Sequence, residues 1–113
     1  MSTHVENVAL RRQFLRLLVQ GLRVVWPILA VLLSVMTSLG LLVAWLERWP
    51  LLDGVYFAFV SGLTIGYGDL APKGGLGRAL AIGIGFTGLL LGGLIAAVGV
   101  QALQSTVDLR RRP

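Results

Sequence analysis

From Val24 to Leu46 the chain runs 23 residues without a charged side chain. As a helix that run measures about 35 Å, enough to cross a bilayer with some tilt. A second run, opened by Arg78 and reaching about Val107, is apolar throughout until Gln101 and Gln104. The pattern predicts an outer helix over 24–46 and an inner helix over 78–107. Between them Glu47 to Leu52 reads as a short polar turn containing Trp49-Pro50. Asp53 has the side chain to cap a helix continuing to about Leu63. A helix over 53–63 is about 15 Å long, half a bilayer. It cannot span, so its end is buried in protein or faces a water-filled cavity. Its C-terminal carbonyls carry roughly half a negative charge, which favours a cation in front of them. Residues 64–69 follow, and then a turn-rich loop with Pro72, Gly74, Gly75 and Gly77.

Ahead of the first run, Leu10, Phe14, Leu17, Leu18 and Gly21 recur at three- and four-residue steps. Arg12, Arg16 and Arg23 stand away from most of them. Residues 1–23 therefore predict an interfacial amphipathic segment with arginines toward lipid phosphates; the other reading is a plain continuation of the first span. No signal peptide is expected, because the charged region is too long and no small-x-small cleavage site follows. Residues 108–113 form a basic tail, and no ligand-binding domain, repeat or low-complexity tail is expected past Gln104.

Composition sharpens this picture. Of 113 residues, 56% are hydrophobic and 13% charged, where a soluble domain carries about a quarter charged residues. One small domain in a lipid solvent fits. Cysteine is absent, which removes disulfides and thiol metal sites. The net charge of +5 does not point to nucleic acid, since aromatic interleaving and any reader motif are missing. Seven of the ten basic residues flank the apolar runs: Arg11, Arg12, Arg16 and Arg23 at one end, Arg110, Arg111 and Arg112 at the other. Membrane proteins mark their cytoplasmic side in this way. Both termini are expected in the cytoplasm, residues 47–78 on the outer side or re-entrant, and anionic lipid at the terminal arginines of a cell (inner) membrane protein. Trp26 at one end of the first run, with Trp45 and Trp49 at the other, suits the two interfacial belts. Gly83, Gly85, Gly88, Gly92, Gly93 and Gly99 allow close helix approach in lipid, with Gly88 and Gly92 at dimer-type spacing.

The chemistry centres on Thr64-Ile65-Gly66-Tyr67-Gly68-Asp69. Glycine at alternate positions takes the opposite backbone hand at little cost and lets successive carbonyls turn to one side. Four such strands around an axis would stack rings of oxygens able to replace the water shell of a dehydrated cation. A lone GxG carries no weight. The six-residue string, its apolar flanks and its spacing to both runs agree with one another.

Asp53-x-x-Tyr56-Phe57-x-x-Val60-Ser61 followed by Thr64 to Asp69 resembles the pore helix and selectivity filter of the potassium channel family. The order outer helix, pore helix, filter, inner helix is similar to its two-span, one-pore bacterial members. The resemblance covers about Asp53 to Gln104. It implies an all-α membrane protein whose pore domain, residues 24–107, assembles as a fourfold pore from a homotetramer. It further implies that Thr64, Ile65, Gly66 and Tyr67 bind K+ through main-chain oxygens and the Thr64 hydroxyl, with Gly68 completing the filter. Potassium is then the permeant ion, and no cofactor is implied. By the same likeness Tyr67 points away from the pore toward Tyr56 and Phe57, and Asp69 stands at the outer mouth, where four copies concentrate cations. A cap for the following loop is an equal role for Asp69. Gly88 falls at the family's hinge glycine; Leu89, Gly92, Ala96, Ala97 and Val100 face the cavity, and Gln104 lies near the inner gate.

The sequence departs from the family at three positions. Leu63 stands where threonine is usual, Phe57 cannot donate a hydrogen bond to Tyr67, and Val60 is apolar where some members hold a buried acid. Weaker bracing and altered inactivation are expected, with Tyr56, Phe57 and Val60 as the filter's supports. The function expected is passive, potassium-selective conduction. A non-selective cation channel and a non-conducting scaffold or modulatory subunit are the alternatives. No enzyme is expected, since the sole histidine, His4, lies near the N-terminus and no acid–base set appears. No arginine-repeat sensor helix is present. A proton-sensitive inner ring of His4, Glu6 and Asp108 beside Arg110 to Arg112 is the one gating device the sequence suggests, against ordinary topology-setting arginines.

Overall fold

Nothing in the first half of the chain is strong enough to stop a helix before the Arg48-Trp49-Pro50 segment. The computed structural model, which describes residues 2–111, carries this half as one helix, α1 (Ser2–Glu47). No break separates residues 2–23 from 24–46, so of the two readings the backbone follows the continuation of the first span and not a separate helix. Pro27 therefore lies inside α1. Lacking an N–H, it leaves the Arg23 carbonyl without its usual helical donor. The helix ends where Arg48 adopts a left-handed φ of 61° and the Trp49 amide donates back to the Ala44 carbonyl at 2.8 Å. That is the bond that closes a Schellman-type C-cap.

The second helix, α2 (Leu51–Gly62), begins two residues earlier than the sequence suggested. Pro50, at φ −56°, occupies the N-cap without a side-chain bond. Asp53 is thus a first-turn residue and not the cap; its amide donates to the Pro50 carbonyl at 3.0 Å. A carboxylate there is still favoured by the helix dipole. The third helix, α3 (Gly75–Arg111), starts at Gly75, three residues ahead of Arg78. Thr3–Glu47 and Gly75–Asp108 are long and apolar enough to cross a membrane, whereas α2 is too short to do so. The protein is all-α.

The chain divides into two compact units, one of residues 28–93 and one of residues 1–27 with 94–113. In the first, three glycine contacts bring helix backbones together. A Cβ on Gly40 would strike the Gly54 carbonyl and the Ala58 side chain, and one on Gly54 would strike the Gly40 carbonyl and Ala44. One on Gly62 would meet the Met36 sulfur, and one on Gly88 would meet the Gly62 backbone. Glycine is required at these crossings because any side chain would force α2 off its neighbours. Met36, Val43, Ala44, Ala58 and Ile84 are fully buried around them. Thr87, also buried, satisfies its hydroxyl on the Gly83 carbonyl at 2.8 Å, the usual solution for a helical threonine in an apolar setting.

In the second unit, Gly21 of α1 sits against Val98 of α3, whose Cγ1 is 2.7 Å from where a Cβ would stand. Val98, Ala102 and Thr106 make the buried seam. The Thr106 hydroxyl donates to the Ala102 carbonyl at 2.8 Å.

Candidate ion-binding loop and its supports

The residues after α2 do not simply run out of helix; they are tied to its last turn. The Val60 carbonyl accepts from both the Ile65 amide (2.8 Å) and the Gly66 amide (3.2 Å), and the Ser61 carbonyl accepts from Thr64 (3.2 Å). Orphan carbonyls at the C-terminus of a helix need donors, and here the loop supplies them. Val60 therefore supports the loop through its main chain, while its buried side chain packs in the core.

Beyond this anchor, positive φ falls on every second residue: Thr64 at 62°, Gly66 at 59° and Gly68 at 79°. The glycines were expected to take this hand. Thr64 was not, because a β-branched residue in that region is strained, by about 1–3 kcal/mol. Its hydroxyl donates to the Leu63 carbonyl at 2.6 Å. The alternation of hand is the backbone condition for successive carbonyls to share one side. Thr64 to Asp69 are all exposed in the single chain, with the Tyr67 side chain 71% exposed. A Cβ at Gly66 or Gly68 would meet nothing within 4 Å, so only conformation demands glycine there.

The supporting residues divide differently from the sequence expectation. Phe57 is buried and packs edge-on against Trp49, ring centroids 5.4 Å apart, so its partner is the turn after α1 and not Tyr67. Tyr56 donates its hydroxyl to the Asp69 carboxylate at 2.9 Å. That bond, with the negative charge behind it, keeps the Tyr56 phenol above its ordinary pKa. Tyr56 thus ties α2 to the far end of the loop through Asp69. Sequence reasoning named Tyr56 as a support of the loop but did not pair it with Asp69, which it read as a mouth carboxylate or a loop cap. The available signal was a phenol one residue from the site under suspicion.

A second link was also missed. Glu47, the last residue of α1, accepts from the Lys73 amide (2.6 Å) and the Gly74 amide (2.9 Å) through Oε1. It closes the loop at the start of α3 like a capping residue supplied from another helix. Gly77 has to be glycine beneath it: a Cβ would stand 2.9 Å from Glu47 Oε1 and 3.0 Å from Pro72.

On α3, Gly88 is buried against Gly62, which gives it a packing reason independent of any hinge. Leu89 is 62% exposed. With Thr64, Ile82, Gly85 and Phe86 it lines a cavity of about 260 Å³ at the base of the loop. Gly92 is exposed in the same unit, and Ala96, Ala97, Val100 and Gln104 are exposed in the other. His4, Glu6 and Asp108 are exposed, while the side chains of Arg110 to Arg112 lie outside the described residues.

With this geometry in place, three relatives are informative. Two-pore potassium channel 3 of Arabidopsis thaliana is 39% identical over 80 residues, covering 59% of this chain and 18% of that protein. Two-pore potassium channel 2 of the same plant is 38% identical over 80 residues with the same coverage. Two-pore potassium channel 5 is 38% identical over 55 residues, 44% of this chain and 14% of the relative. The chain thus spans less than a fifth of the length of these relatives. No solved structure matches. The family described as Ion channel matches residues 25–105, a stretch that holds α2, the alternating loop and most of the apolar length of α1 and α3. The chain belongs to the ion channel family.

Proposed function

We propose that the protein conducts potassium ions passively and selectively across a membrane, four copies joining to form one pore. The observation that carries this is the alternation of backbone hand at Thr64, Gly66 and Gly68 in a loop anchored on the Val60 carbonyl. Main-chain oxygens of Thr64, Ile65, Gly66 and Tyr67, with the Thr64 hydroxyl, are the ligands for a dehydrated ion. One chain supplies a single strand of such a site and leaves it exposed, so the site is complete only with further copies. The similarity to plant potassium channels supports the choice of ion. Asp69, in four copies, raises cation concentration at the mouth. Leu89, Gly92, Ala96, Ala97 and Val100 face the inner cavity, and Gln104 stands near its inner end. α1 and α3 cross the cell membrane with both termini in the cytoplasm and residues 47–78 on the outer side, in keeping with the basic flanks.

The test is reconstitution into planar bilayers under asymmetric potassium and sodium. The reversal potential is expected close to that of potassium, with barium block as a check. A sodium permeability near that of potassium would replace selectivity with general cation conduction. Gly66→Ala separates a channel from a scaffold. There is space for the methyl group, but an L-residue at φ 59° costs roughly 1–2 kcal/mol in left-handed geometry. Assembly survives and conduction is lost if the loop carries ions; a wild-type chain that assembles without conducting is a scaffold.

A further inference from the structure

The boundary between the two compact units crosses α1 between Pro27 and Ile28, and α3 between Gly93 and Leu94. Both crossings fall where a helix resists bending least. Sharp bends in helices occur at proline and at paired glycine or serine residues. Pro27 removes one rung from the hydrogen-bond ladder of α1. On α3, Gly92 and Gly93 are adjacent, and each favours helix by about 1 kcal/mol less than alanine. Packing does not account for this pair. A Cβ on either would meet nothing within 4 Å, whereas one on Gly88 would strike the Gly62 backbone. Gly85 and Gly99 are equally open, but each stands alone. No side chain is buried among residues 22–28 of α1 or 92–97 of α3, so neither crossing is held from the side.

Within each unit, by contrast, the two long helices are fastened to each other. Gly83 lies against Leu39 in one, and Gly21 lies against Val98 in the other. A turn of α3 past Gly93 therefore carries Val98, and with it Gly21 and the start of α1. The geometry points to a joint shared by two helices: residues 2–27 and 94–111 turn as one body about Pro27 and the Gly92-Gly93 pair. Gly88, the position at which the family likeness places a bend, stays fixed against Gly62. The bend is moved about one turn along α3 and α1 takes part in it. Ala96, Ala97, Val100 and Gln104 travel with the moving body, so α1 sets the width of the inner end of the pore together with α3. That last consequence rests on the proposed pore; the joint itself does not.

The chain has no cysteine, so pairs of spin labels can be attached at introduced cysteines without other changes. One pair, at Val19 and Leu42, spans the crossing of α1; the other, at Leu76 and Leu103, spans that of α3, and all four positions are exposed. The labelled full chain is diluted with unlabelled chain in lipid nanodiscs, and pulsed electron paramagnetic resonance reads the distance within one chain. Each pair is expected to show two distances, the shorter from the bent state. Pro27→Ala, at an exposed position, restores the missing N–H and removes the shorter distance from the α3 pair as well as from its own helix. Gly93→Ala removes it from the α1 pair as well as from its own. Gly99→Ala, a glycine equally open but away from the crossing, leaves both distances in place. Loss confined to the substituted helix overturns the shared joint, and a single distance in the unsubstituted chain overturns any joint. Light scattering follows oligomer size, and a change with Gly93→Ala would assign that glycine to packing between copies and overturn its part in the joint. The distances are read whether or not the chain conducts, so this reading and the proposed function fall separately.

Discussion

Tyr56 reaches Asp69 through a single oxygen, and Tyr56→Phe removes it without changing the ring. The expected outcome is a mouth that is less firmly held: faster decline of current during maintained activation, with selectivity retained. Single-channel records before and after the substitution decide it, and unchanged kinetics would make the bond incidental. Glu47 allows a complementary comparison. Glu47→Gln keeps a carbonyl oxygen for the Lys73 and Gly74 amides and should be mild, whereas Glu47→Ala leaves both donors unpaired and should cost about 1 kcal/mol. Denaturation of the detergent-solubilised protein measures the difference. Tyr56 was recognisable from sequence as a support though not as the partner of Asp69, and Glu47 was not recognisable in its role. Glu47 and its partner amides are 26 and 27 residues apart, and no local pattern announces a pairing at that distance.

Helices tell a different story, because their signals are local. Two uncharged runs and a short segment between turns were sufficient to place α1, α2 and α3 in order. Their ends moved for physical reasons: Pro50 begins α2 ahead of Asp53, and Glu47 caps the loop so that α3 starts at Gly75. The single α1 was the second of two readings, since the amphipathic pattern with Arg12, Arg16 and Arg23 suggested a boundary that the backbone does not observe. The glycines of α3 were visible as small residues, but which of them are crossings was not. Gly88 and Gly92 separate the cases. Gly88→Ala drives a methyl group into the Gly62 backbone and should destabilise the protein by about 1–3 kcal/mol. Gly92→Ala meets nothing within 4 Å and should fall within about 0.5 kcal/mol of wild type. Equal effects in a thermal or denaturant titration would remove the crossing as the reason for glycine at 88.

For the molecule as a whole, the alternating loop was legible because its chemistry lies in consecutive residues. The left-handed Thr64 was not, because it follows from the hydrogen bonds that pull Ile65 and Gly66 onto Val60. Large apolar side chains remain open in the single chain, among them Leu63, Ile65, Phe86 and Leu89. In a bilayer such exposure is unremarkable. Beside a loop of polar backbone it is not, because exposed carbonyls and amides in lipid require protein or water against them. Mass measurement of the protein extracted in mild detergent should give four copies, and a monomer retaining conductance would contradict the proposed pore.

The clasps at the two ends of the segment after the loop also set where this chain tolerates extra length. Asp69 is fastened to Tyr56, and Lys73 and Gly74 are fastened to Glu47, while Pro72 receives the Arg78 side chain. Leu70 and Ala71 remain as the only link between fixed points. A short epitope inserted after Ala71 should be accommodated and reachable by antibody from the outer side, whereas the same insertion between Leu63 and Thr64 should abolish ion flow.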